Sequence, residues 1–155
     1  MAEVQWVVVR VGGGKCGLAV EEIKEIVKLK TVTPLPHAPG FVEGLMNLRG
    51  QIIPVVNLGA KLAAVRSGFP AGEGKDNARD ERVVVMQEAG EFVGLHVDAV
   101  EQVLTLDTQT LERVDEGELK ENGIIDAVIQ LEDALVLKLN TNLLLKPLSE
   151  EGGER

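Results

Sequence analysis

Short apolar runs broken by glycine, proline and charge give this chain the grammar of small antiparallel strands. Val4–Val11 contains the run Val7-Val8-Val9, and β-branched residues fit a pleated surface, so it predicts a strand. Gly12–Gly14 predicts a hairpin turn, since glycine tolerates positive φ, and Cys16–Val20 the return strand. Glu21–Lys24 reads as one helical turn and Ile26–Leu29 as a further strand. The Thr33-Pro34-Leu35-Pro36 stretch breaks regular structure. Glu43–Leu48 and Gln51–Leu58 flank Arg49-Gly50 and predict a second hairpin. Gly59–Ala64 reads as a short helix, and residues 66–80, rich in glycine and charge, as an exposed, mobile loop.

The second half repeats this order. Arg82–Gln87 and Glu91–Val97 are predicted strands around Ala89-Gly90. Asp98–Leu106 follows, then a weakly patterned stretch to Glu121. Ile124–Leu131 and Ala134–Leu139 predict a last hairpin around Glu132-Asp133. Thr141–Leu145 starts a terminal helix limited by Pro147, and 149–155 reads as a frayed polar tail. Cys16–Val20 with Ile23, Ile26, Val27 and Leu29 lines up with Val93–Val97 with Val100, Val103, Leu104 and Leu106. Gly44–Asn57 lines up less closely with Ala127–Asn140. Blocks matched in the same order imply a pseudo-duplication. The expectation is an all-β fold with short helices: two small antiparallel barrels or sandwiches packed together. One half runs to about residue 65 and the other from about 82. Each would bury little alone, so they should share a core.

Composition narrows the function. The 155 residues are 45% hydrophobic with no Tyr, so Val, Leu and Ile must fill the core. The net charge of −9 argues against nucleic acid and against an anionic membrane surface, both of which call for a basic face. The one cysteine, Cys16, leaves no intrachain disulfide and fits a reducing cytoplasm. Met1–Arg10 lacks the order of a signal peptide, and no apolar run approaches the roughly 18 residues of a membrane span.

The search for catalytic chemistry finds no coherent set. His37 lies between Pro36 and Pro39, and His96 alternates with Leu95 and Val97; each reads as a surface or satisfied histidine without a sequence-local metal or triad partner. Ser67 and Ser149 sit outside any nucleophile elbow. Gly12–Gly17 satisfies G-x-G-x-x-G, but Thr31–Pro36 occupies the place where the long helix of a dinucleotide fold would run. Gly74-Lys75 lacks the first glycine and the Ser/Thr of a phosphate loop. Glu21-Glu22 and Asp115-Glu116 read as solvated pairs. No cofactor or metal is expected.

Ile23–Val27, then Thr33–Pro36, then Gly44–Leu58 with its Asn47-Leu48-Arg49-Gly50 and downstream Pro54, resemble the CheW family closely; Val93–Val100 adds a second-half block. The resemblance runs from about Val4 to Leu145, in one domain spanning 1–148. It departs at Asn57 and Asn140, where the family usually has Asp, at Ala127 for Gly, and at Lys138 in a usually apolar strand. The resemblance implies two pseudo-symmetric five-stranded β-barrels packed on a shared core. It also implies a non-catalytic cytoplasmic adaptor, recruited to receptor arrays at the inner face of the membrane. That adaptor couples the cytoplasmic tips of methyl-accepting chemoreceptors to the regulatory domain of a CheA-type histidine kinase. Ile23, Glu25, Asn47 and Arg49 would lie at or near the receptor surface, with Val97 and Val100 from the second half. Gly44, Gly50 and Pro54 would set the local backbone. A paralogue serving twitching or developmental motility is the alternative within the family, and a ligand-binding β-barrel or hydrolase the alternative outside it.

Arg49 can be weighed on physical grounds as well. A two-residue hairpin turn favours Asn-Gly or Asp-Gly, so the fold does not ask for Arg. Its rigid donor fork suits a carboxylate or carbonyl acceptor on a partner. The other reading is an internal ion pair, with Glu25 as the candidate.

Overall fold

The computed structural model describes residues 3–12, 14–65, 80–88, 90–107, 112–113, 125–130 and 135–140. The expected loop at 66–80 lies outside them but for its last residue. The terminal helix, the tail and most of the stretch from 108 to 124 also lie outside. The described strands are β1 (Glu3–Val11), β2 (Gly14–Ala19), β3 (Ile23–Lys28), β4 (Val42–Leu48), β5 (Gln51–Asn57), β6 (Arg82–Glu88), β7 (Glu91–Val97), β8 (Ala99–Asp107), β9 (Glu112–Arg113), β10 (Ile125–Gln130) and β11 (Leu135–Leu139). Among the described elements an α-helix, α1 (Leu58–Val65), follows β5, and a 3-10 turn, Val20–Glu22, precedes β3.

Two sheets result. One has the order β8-β1-β2-β11-β10-β9, the other β3-β6-β7-β5-β4. Exchanging β1 with β6, β2 with β7, β3 with β8, β4 with β10 and β5 with β11 converts five strands of the first order into the second. The correspondence extends to detail. Each sheet has one parallel seam, β2 with β11 and β7 with β5. The bulge in β1–β8 near Val8 matches that in β3–β6 near Ile23, and the shift at Ile125/Ala127 matches that at Val42/Gly44. The internal repeat is therefore real.

Neither half forms a sheet by itself. The β1–β2 hairpin joins β8, β10 and β11, and the β6–β7 hairpin joins β3, β4 and β5. The core explains why. Val7, Val9 and Val11 face a shared core with Leu18, Val56, Leu58, Val84, Met86, Leu95 and Val97. Trp6 and Val8, on the other face of β1, pack with Ala19, Ile129 and Val136. Met46, Leu48, Ile53, Val55, Val83 and Val85 fill the matching pocket of the second sheet. The Val runs of β1 and β6 are thus buried on both faces, which is why they read as continuous rather than alternating. Fully burying one such side chain is worth about 1.5–3 kcal/mol, and the shared cluster is the largest of the three. Cys16 lies wholly inside it, and burial pushes its thiol up to about 12, so it is an inert packing residue.

The expected closed barrels are not present. The second sheet curls until its edges approach, but β3 and β4 do not pair. A single bridge, Thr33 to Leu45, joins β4 to the chain just beyond β3, with N–H···O distances of 2.8 Å in both directions. Pro34 and Pro36 follow at once. The bridge does not extend into a ladder: Thr31 and Val32 before it and Pro34 and Leu35 after it lie outside any strand. The first sheet has six strands in place of five because of the two-residue β9, and among the described residues its end strands β8 and β9 do not pair. Lys138, unexpected in an apolar strand, has its Nζ 5.1 Å from the centroid of the Trp6 ring, a cation–π contact.

Candidate functional site

The β4–β5 hairpin carries the most distinctive motif on its tip. Arg49 has φ 54° and Gly50 φ 85°, so both central residues are left-handed, as a type I′ turn requires. Asn47 caps the turn: its Oδ1 accepts the Gly50 N–H at 2.9 Å. Leu48 is buried beneath while Asn47, Arg49 and Gly50 are exposed. Arg49 reaches across the gap between the sheet's two edges to Glu25 on β3. Nη2 lies 2.9 Å from Glu25 Oε1 and Nη1 donates to Oε2 at 3.2 Å, a two-pronged pair. The Arg49 side chain is nonetheless 74% exposed, against 25% for Glu25. The internal pair foreseen as the competing role is therefore formed, and it leaves most of the Arg49 side chain facing solvent.

Gly44 lets the Thr33 segment lie close against β4. Its φ is 147°, and a Cβ there would stand 2.1 Å from the Thr33 carbonyl oxygen. Pro54 faces Leu45 across the hairpin, one residue before the parallel seam with β7 begins. Ile23 is half-buried and packs on the shared core. Two rim residues escaped the sequence reading: Ile26 on β3, 38% exposed, and Ile52 on β5, 58% exposed. Each neighbours an apolar residue of the opposite face, so alternation alone does not show which is left outside.

The two second-half candidates fare differently. Val97 is buried at 1% exposure within the shared core. It cannot contribute a surface contact, and its alternation with buried Leu95 already placed both on one face of β7. Val100 is half-buried and lines an open polar groove with Arg10, Asp80, Arg82, Ala99 and Glu101. Glu101 there holds Arg10 at 2.8 Å and Lys15 at 3.0 Å. No described contact joins this groove to Arg49.

A second polar cluster lies between β4 and β7. Both ring nitrogens of His96 meet carboxylates: Nδ1 is 2.7 Å from Glu43 Oε2 and Nε2 is 2.5 Å from Glu81 Oε1. Burial would lower the His96 pKa, but the two carboxylates outweigh it and hold it above the ordinary histidine value. The His96 hydrogen bond in turn holds Glu43 below the usual carboxylate range, against the cost of its own burial and with help from Asn57. Asn57 Nδ2 donates to Glu43 Oε2 at 2.7 Å, and its Oδ1 accepts the Ala60 N–H at 2.9 Å as the N-cap of α1. His96 was foreseen as satisfied, but Glu43 and Glu81 lie far from it in sequence and could not be named.

This arrangement accounts for Asn at position 57. An Asp would still cap α1, but it would set a carboxylate against Glu43 and lose a donor. Asn57→Asp should therefore cost about 1–2 kcal/mol at neutral pH. Urea melts should show the deficit shrinking once both carboxyls protonate, below about pH 4. An unchanged midpoint at pH 7 would mean that the Asn57–Glu43 bond adds nothing.

Among the described residues no three His, Cys, Asp or Glu side chains are grouped to hold a metal. No described helix is long and apolar enough to cross a membrane.

Comparison with known proteins follows the same lines. A chemotaxis protein CheW of Rhizobium meliloti is 35% identical over 103 residues, 66% of this chain and 61% of that protein. The matched stretch is thus under two thirds of that relative's length. A chemotaxis protein CheW of Bacillus subtilis is 26% identical over 94% of this chain and 88% of its own. The crystal structure of a CheW scaffolding protein from Thermoanaerobacter tengcongensis superposes with a TM-score of 0.80 at 26% identity, covering 94% of this chain and 89% of the other. The CheW-like domain family matches residues 5–148, nearly the whole of both sheets, and the chain belongs to that family.

Proposed function

We propose that the protein is a non-catalytic cytoplasmic adaptor coupling the tips of methyl-accepting chemoreceptors to the regulatory domain of a CheA-type histidine kinase. The observation that carries this reading is Arg49. It is held at positive φ on an exposed hairpin tip, where Asn or Gly would suit the backbone better. A residue kept against the preference of its own turn, with most of its surface in solvent, is explained by a partner. Exposed Ile26 and Ile52 supply apolar area on the same two strands that present Glu25 and follow Arg49. Receptor tips are helical hairpins, and a helix seated on an apolar strip with a polar rim is the recognition mode this surface suits. Ile23, Glu25, Asn47 and Arg49 form the receptor face, Val100 is a weaker second-half candidate, and a different face meets the kinase. Binding both partners lets one small chain link them, and the assembly gains affinity through multivalency.

The test is a titration of the labelled full chain with a receptor-tip fragment, with the kinase regulatory domain, and with both. Saturable binding of each, and a ternary complex without competition, is the expected result. Mutually exclusive binding, or none to either, would overturn the adaptor reading.

A further inference from the structure

The contact between His96 and its two carboxylates makes a demand on protonation. Neutral imidazole has one N–H and one lone pair, and ionised carboxylates only accept. Glu43 Oε2 stands at Nδ1 and Glu81 Oε1 at Nε2, both at hydrogen-bond distance. With both carboxylates ionised, both contacts attract only when both nitrogens carry hydrogen. A neutral ring would turn a lone pair on one of the two carboxylates.

The two arms are not equivalent. Glu43, on β4, has a second donor in Asn57 Nδ2, itself fixed as the cap of α1. The Glu81 side chain has no donor other than His96 among the described residues. Glu81 immediately precedes β6, the strand between β3 and β7. The first rungs of β6 set Arg82 against Lys28 and Val97, and Val83 against Val27 and His96. The cations on adjoining elements have other contacts: Lys61 on α1 lies with its Nζ 4.0 Å from the Phe41 ring centroid, and Arg82 Nη1 donates to the Glu81 carbonyl at 3.0 Å. Asp98, beyond the end of β7, accepts from the Gly12 N–H.

We propose that His96 is a proton-operated latch: as imidazolium it ties the start of β6, through Glu81, to Glu43 on β4, and loss of one proton releases the Glu81 arm. The ring then keeps its remaining hydrogen on Nδ1, facing the better-anchored Glu43, and turns its Nε2 lone pair on Glu81. The linkage has a definite sign. A histidine stabilised in its charged form contributes stability in full below its unfolded value, about 6.5. That contribution is lost as pH rises through its raised folded pKa.

The experiment uses the full chain carrying His37→Asn, so that His96 is the only imidazole. Its ring carbon and nitrogen resonances are followed from pH 5 to 10, folded and in urea. The expected folded midpoint lies above the urea midpoint. Both nitrogens should be protonated below it and only Nδ1 above it. Amide exchange at Arg82 and Val83 should rise across the midpoint by more than the general base-catalysed increase. Glu81→Gln should lower the midpoint, and His96→Gln should remove the fall in urea-melt stability over the same window. A folded midpoint at or below that in urea would overturn the latch. So would a neutral ring bearing its hydrogen on Nε2, or a midpoint indifferent to Glu81→Gln.

Discussion

Gly44→Ala should lower unfolding free energy by about 3 kcal/mol or more, a large share of the 5–15 kcal/mol typical of a domain. A Cβ at this position would lie 2.1 Å from the Thr33 carbonyl oxygen, 2.6 Å from its carbon and 2.9 Å from Pro34 Cα. All three are backbone atoms, so no side-chain rotation relieves the clash. The φ of 147° adds strain of about 1–3 kcal/mol for any residue with a Cβ. Pushing the Thr33 segment away also breaks the two hydrogen bonds of the bridge to Leu45, each worth about 0.5–1.5 kcal/mol. Gly40→Ala is the control: nothing lies within 4 Å of its would-be Cβ, and its midpoint should move by less than about 0.5 kcal/mol. Urea melts of the two variants beside the parent measure the difference. A loss below about 1 kcal/mol for Gly44→Ala would show that the Thr33 segment is not held against β4.

That bridge also marks the limit of what the sequence discloses. The matched blocks Cys16–Leu29 and Val93–Leu106 become β2–β3 and β7–β8, and the hairpins were legible because each is closed by a local turn. The exchange of strands between the two sheets was not. Which distant strand borders a hairpin is decided by long-range burial on both faces of β1 and β6, and periodicity within a strand carries no trace of its neighbour. Barrel closure, taken from the family resemblance, fails between β3 and β4, where the Thr33–Leu45 bridge is the only described backbone pairing. At the site, Arg49 and its alternative partner Glu25 were both visible, because the hairpin motif is contiguous and the acid was the candidate at hand. The His96 cluster was invisible for the opposite reason: its partners come from β4 and from the residue ahead of β6.

Arg49→Asn is expected to weaken receptor binding strongly while leaving the fold as stable as before or more so. Arg49 sits at φ 54°, a conformation that costs an ordinary side chain roughly 1–2 kcal/mol and that Asn tolerates. Asn-Gly is the favoured pair for this turn. The substitution gives up the exposed pair with Glu25, worth about 0.2–1 kcal/mol at such a surface. Relief of strain offsets that loss, so the net stability change lies between about zero and +2 kcal/mol. Arg49→Glu differs in the instructive direction: it keeps the strain, sets a carboxylate beside Glu25, and should cost the fold up to about 1 kcal/mol. Binding separates the roles. If Arg49 meets a desolvated acceptor on a receptor helix, truncation costs about 2–5 kcal/mol, a loss of about thirtyfold or more in affinity. Glu should be worse than Asn, because attraction becomes repulsion. Binding to the kinase regulatory domain, on another face, should stay within about twofold of the parent. The measurements are urea melts and titrations with each partner for both variants. An Asn variant that binds the receptor fragment as tightly as the parent would reduce Arg49 to a strut for Glu25 and remove the receptor face from this hairpin.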